Sequence, residues 1–95
     1  MSKIYLFVEI SVKSGQLAGF VEKLQAHADG IRREDGCENL ALFYDSDSSE
    51  SVCVWEIWRD RASWDAHMVN DSSKTWQSVA KDFVNGEKIT VMSAI

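Results

Sequence analysis

Residues 51–59 read Ser51-Val52-Cys53-Val54-Trp55-Glu56-Ile57-Trp58-Arg59. Branched and aromatic residues fill this run, which predicts a strand. Both of its alternating faces are apolar, with Val52, Val54 and Trp58 on one and Cys53, Trp55 and Ile57 on the other. Such a strand belongs in the middle of a structure, covered on two sides. Glu56 is the one acid inside it. A buried charge is costly unless paired or hydrogen-bonded, so Glu56 is a candidate functional group; a strand-end glutamate in a structural or subunit-interface ion pair is an equal alternative.

Toward the N-terminus, the polar run Asp45-Ser46-Asp47-Ser48-Ser49-Glu50 predicts a hairpin loop, and residues 38–45 a second strand with Leu40, Leu42 and Tyr44 on one face. Asp35-Gly36 ends a helix over 16–33, whose stripe is Leu17, Phe20, Val21, Leu24, Ala28 and Ile31. Before Ser14-Gly15, residues 3–13 alternate as a strand, with Ile4, Leu6, Val8, Ile10 and Val12 facing one way and Tyr5 and Phe7 the other. Toward the C-terminus, residues 61–69 form a short helix with Trp64, His67 and Met68 on one side. Asp71 or Ser72 caps a further helix carrying Trp76, Val79, Ala80 and Phe83, Asn85-Gly86 stops it, and residues 88–95 close as a strand.

The resulting order, β-α-β-β-α-α-β, predicts an α+β, ferredoxin-like fold with a four-stranded antiparallel sheet and helices on one face. Tyr5 and Phe7, with Cys53, Trp55 and Ile57 or their alternates on the third strand, leave the other face apolar, and the chain has no second sheet to cover it. A homodimer formed through that sheet face is the economical expectation.

Residues 1–95 are read as a single domain without linker or repeat. Fifteen acidic against ten basic residues give a net charge of −5, which argues against nucleic acid or an anionic membrane as partner. The opening apolar run Ile4 to Val8 is too short for a signal or a membrane span, so a cytoplasmic location is expected. Cys37 and Cys53 read as free thiols. No metal is expected, because His27, His67, Cys37 and Cys53 lie on scattered elements without ligand spacing. The chain also has no glycine-rich nucleotide loop and no nucleophile elbow.

His67 stands on the apolar side of its helix, directly after the strand that holds Glu56. A hydrogen-bonded core histidine is the plainer reading, but a Glu–His pair in an apolar cavity is also a proton-transfer unit. Most of the ten aromatic residues are expected to pack the core or an interface, while Trp58, Trp64, Trp76 and Phe83 could wall a pocket for a flat ligand.

Three segments, read together, resemble the antibiotic biosynthesis monooxygenase family of dimeric α+β barrels. They are Val8-Glu9-Ile10-Ser11-Val12-Lys13-Ser14-Gly15, Arg33-Glu34-Asp35-Gly36-Cys37, and Trp55-Glu56-Ile57-Trp58-Arg59-Asp60 followed by Ala66-His67. The resemblance implies a homodimer with a pocket in each subunit, and oxidation of quinols or aromatic phenols by O2 without metal, flavin or haem. It places the family's glutamate and histidine on Glu56 and His67. Related branches isomerise a phosphorylated autoinducer or degrade haem. The haem-degrading triad of Asn, Trp and His would fall on Val8, His67 and Gln77, so the likeness does not extend to that branch. Ser72 stands where many members carry a second histidine, and Leu40 where an aromatic residue is common.

The expected function is therefore a cofactor-independent monooxygenase of a small phenolic or quinol-like molecule. His67 would be its base, Glu56 the partner of that base, and Trp58, Trp64, Trp76 and Phe83 the pocket walls. The alternatives are an isomerase of the phosphorylated-autoinducer type and a non-catalytic dimeric ligand-binding module.

Overall fold

The computed structural model describes residues 2–95. Its elements run β1 (Ile4–Val12), α1 (Leu17–Arg32), β2 (Cys37–Tyr44), β3 (Ser51–Trp58), α2 (Arg61–Val69), α3 (Asp71–Ala80) and β4 (Val84–Met92). The strands form one sheet in the order β2-β3-β1-β4, and every neighbouring pair is antiparallel. This is the expected β-α-β-β-α-α-β arrangement.

Alternation in the strands decides the two faces. Ile4, Leu6, Val8, Ile10 and Val12 of β1 are buried with Val52, Val54 and Trp58 of β3 and Leu40 of β2. The stripe Phe20, Val21, Leu24, Ala28 and Ile31 of α1 closes over them. Each large apolar side chain fully removed from water contributes roughly 2 kcal/mol, so this layer between sheet and helices is the main source of stability. The cross-strand register places Glu56 directly between Leu6 and Leu40. The acid therefore points into the core layer with the buried residues of β3.

The opposite sheet face carries Tyr5, Phe7, Cys53, Trp55 and Ile57, all half-buried in the single chain. Tyr5 and Trp55 pack there with ring centroids 6.2 Å apart, and Phe43 is 52% exposed.

Two details of the C-terminal third differ from the sequence reading. The side chain that caps α3 is Asn70, which accepts from Ser73 N at 2.7 Å, rather than Asp71 or Ser72. Asn85-Gly86 does not stop the helix. The helix ends at Ala80, and β4 begins at Val84, which pairs with Val12 past an irregularity in the ladder, so Asn85 and Gly86 lie inside the strand. Backbone pairing with the end of β1, including Lys13 N to Phe83 O at 2.7 Å, outweighs the turn propensity of the Asn-Gly pair.

Candidate active site

Two helix caps build the site. Asp60 accepts from both the backbone and the hydroxyl of Ser63 at 2.8 Å, which fixes the start of α2. Asn70 starts α3 and donates its Nδ2 hydrogen to Glu34 Oε1 at 2.9 Å. Between these caps, α2 turns Trp64 and His67 inward, where both are buried. Ser73 Oγ donates to the His67 carbonyl at 2.5 Å, joining the end of α2 to the first turn of α3.

A cavity of about 130 Å³ lies between the sheet and the helices. Leu6, Val8, Val54 and Glu56 line it from the sheet, and His27, Trp64, His67 and Trp76 from the helices. Met68, Gln77, Glu87 and Ile89, all exposed to solvent, line its open end. Its size is close to the ~150 Å³ that accommodates a benzene ring. No lysine or arginine is among its lining residues.

Glu56 is only 8% exposed and accepts from Trp58 Nε1 at 2.8 Å through Oε1. Burial pushes its carboxyl above the usual glutamate value, against the downward pull of the indole hydrogen bond and of His67. Its second oxygen has no donor among the described residues and is not sealed from open space, so it reaches the cavity. His67 Nδ1 lies 2.9 and 3.1 Å from the two oxygens of Glu34. A carboxylate only accepts, so Nδ1 carries the ring proton and Nε2 presents the free lone pair. His27 stacks on Trp76 with ring centroids 4.4 Å apart. Burial, then the neighbouring His67, lowers its pKa and keeps it neutral.

The cavity thus unites four of the residues singled out by sequence: Glu56, His67, Trp64 and Trp76. It does not include Trp58 or Phe83 in its wall. Trp58, with no exposed surface, lies behind the site, its ring 4.9 Å from that of His67 and its N–H on Glu56. It braces both polar groups instead of meeting a ligand. Phe83 follows the end of α3 and packs on Phe20 with centroids 5.9 Å apart. Glu56 and His67 share the cavity without a hydrogen bond between them, because Glu34 holds the ring. Sequence reasoning missed Glu34 as that partner and His27 as a wall. Glu34 nevertheless stands in Arg33-Glu34-Asp35-Gly36-Cys37, one of the segments that carries the family likeness.

Burial raises both thiols, Cys37 and Cys53, above their ordinary pKa, which leaves neither as a ready thiolate nucleophile. Among the described residues no three His, Cys, Asp or Glu side chains cluster as metal ligands would. No described helix is long and apolar enough to cross a membrane.

Residues 3–79 match the family model for antibiotic biosynthesis monooxygenases, and the chain belongs to that family. Solved structures share its fold at low identity. One from Pseudomonas aeruginosa is 21% identical with a TM-score of 0.92, covering 100% of this chain and 96% of its own. A protein from Nitrosomonas europaea, described as a candidate antibiotic biosynthesis monooxygenase, is 19% identical with a TM-score of 0.92, covering 99% of this chain and 91% of its own. A third, from Bacteroides thetaiotaomicron and described as a possible oxidoreductase, is 17% identical with a TM-score of 0.89, covering 98% of each chain. No functionally curated protein matches the sequence at a significant level.

Proposed function

We propose that the protein is a monooxygenase that oxidises a small, uncharged phenol or quinol with O2 and needs no metal, flavin or haem. The observation that carries this reading is a ring-sized cavity holding Glu56 and His67 together, with no lysine or arginine to receive an anion. An apolar site with a free imidazole nitrogen suits removal of a phenolic proton, and the resulting phenolate is electron-rich enough to reduce O2 itself. His67 Nε2 would take that proton, and Glu56, whose protonated form burial favours, would in that form donate a hydrogen bond to the developing oxyanion. Electron transfer from the phenolate and recombination give a ring hydroperoxide; loss of water yields the quinone, so one oxygen atom enters the product and the other leaves as water. Trp64 and Trp76 would wall the ring on the helix side.

The same lining weighs against an isomerase of phosphorylated ligands, because a phosphate there would meet two glutamates and no cation. Residues 1–95 would act as one domain, paired with a second copy through the sheet face that carries Trp55 and Phe7. The free thiols Cys37 and Cys53 suit a reducing cytoplasm.

Oxygen uptake on a panel of phenols and quinols tests the reading. The wild type should consume O2 with at least one of them, and His67→Ala should lower turnover by roughly a hundredfold. Ligand binding without O2 uptake across the panel would replace the enzyme with a binding module.

A further inference from the structure

His67 lines two hollows on opposite sides of its helix layer and is the one residue they share. One is the interior cavity; the other is a groove on the outer surface bordered by Glu34, Asp35, Arg59, Asp60 and Asn70. The imidazole therefore stands between the interior cavity and the outer groove. Its two nitrogens serve the two sides. Nδ1 meets both oxygens of Glu34, at 2.9 and 3.1 Å, and Nε2 has no hydrogen-bond partner among the described residues. Glu34 belongs to the groove alone, and its side chain is 20% exposed against 10% for His67.

We propose that Glu34 relays protons between His67 Nδ1 and solvent, so that the ring can release and regain a proton from outside while a ligand fills the cavity. The proton balance is closed. A proton arriving on Nε2 makes an imidazolium, the Nδ1 proton passes to a Glu34 oxygen, and Glu34 hands it to water in the groove. What remains is the tautomer protonated on Nε2; when Nε2 gives that proton to the oxygen that leaves as water, Nδ1 takes one back from Glu34 and the first tautomer is restored. Nothing is oxidised or reduced. The neighbours support the direction of transfer. Asn70 Nδ2 donates to Oε1 and holds the carboxylate in place, while Ser73 Oγ donates to the His67 carbonyl and stands farther from Nδ1, at 3.5 Å, than either Glu34 oxygen. A relay of this kind suits the proposed oxygenase, whose substrate would plug the cavity mouth, and its role rests on that reading. Glu34 acts through His67 and is a positioning and relay residue.

The test is exchange of the His67 ring proton with water, followed by NMR on protein labelled with nitrogen-15. Glu34→Gln preserves an acceptor for Nδ1–H and for Asn70 but cannot take up a proton. The relay predicts that this variant slows exchange at least about tenfold, and that Glu34→Asp recovers part of the rate. If Glu34 only orients the ring, exchange in Glu34→Gln stays the same or quickens, and the proposal is overturned. A measurement on the wild type is independent of how the variants fold. With phenol bound in the cavity, ring-proton exchange should persist; if it stops, protons travel through the mouth and the proposal fails. Failure of phenols to bind or to support O2 uptake would count against the oxygenase, while the Glu34→Gln exchange result would still decide the relay.

Discussion

Glu34, at the end of the first helix, grips the ring of His67 from 33 residues away, at 2.9 Å through one oxygen and 3.1 Å through the other. The same carboxylate accepts from Asn70, so it ties the helix that carries the imidazole to the cap of the helix that follows. Glu34→Ala strands two partly buried donors and should cost about 1–3 kcal/mol in chemical denaturation. Glu34→Gln keeps an acceptor for both and should stay within about 1 kcal/mol of wild type. Equal losses in the two variants would show that the hydrogen bonds contribute little.

Glu56 gives a prediction of opposite sign. Burial raises its carboxyl above the ordinary value of 4.5, so the folded protein holds a proton that the unfolded chain has already released. The contribution of this group is most favourable below pH 4.5 and is lost as pH rises through the folded-state value. Glu56→Gln removes the ionisable carboxyl and keeps an oxygen for the Trp58 indole. It should be at least as stable as wild type near neutral pH, with the advantage closing as the pH falls toward 4.5, while Glu56→Ala, which removes the donor, should lower turnover by roughly a hundredfold. Denaturation midpoints across the pH range check the first half. A loss of stability at neutral pH would mean that the carboxylate is a structural anchor.

The fold was legible because period-two and helical patterns are written into adjacent residues. β1 and β3 alternate without interruption, and the stripe from Phe20 to Ile31 follows helical spacing. Glu56 stood out as a lone acid in an apolar strand, and His67 followed in the next element. What sequence could not supply was contact between distant segments. Glu34 sits among exposed charges at a helix end, and nothing local distinguishes it from Asp35 or Arg33 until the fold brings α2 beside it. Trp58 was misplaced for a related reason. Its spacing put it on the cavity side of the sheet, as it is, but only packing reveals that it lies behind Glu56 and His67. The start of β4 was hidden because Asn85-Gly86 carries a strong turn preference that tertiary pairing overrides.

The uncovered sheet face predicts assembly. Tyr5, Phe7, Trp55, Ile57 and the half-exposed Phe43 form an apolar layer that no helix of the chain reaches. Sedimentation at micromolar concentration should give twice the 10.7 kDa chain mass. Trp55→Asp should yield monomer or unfolded protein, because a charge cannot be paired in such a layer. A stable monomer of the wild type at that concentration would refute the pairing.

Gly36 offers a remote control on the site. It has φ +89°, in the left-handed region, and a Cβ there would collide with Cβ and Oγ of Ser63. Ser63 is held by Asp60 and Arg59 in the first turn of α2, so it cannot swing aside without disturbing the cap. Gly15 has a similar φ of +76° but open space around its missing Cβ. Gly15→Ala should therefore cost about 1 kcal/mol, from backbone strain alone. Gly36→Ala should cost more, about 3 kcal/mol, because displacement of the helix start adds to the strain. The displaced helix carries His67, so Gly36→Ala should also shift the imidazole resonances in NMR spectra, whereas Gly15→Ala should leave them in place. If the two alanine variants matched in stability and in those spectra, the seating of α2 against the Gly36 turn would not be what positions the histidine.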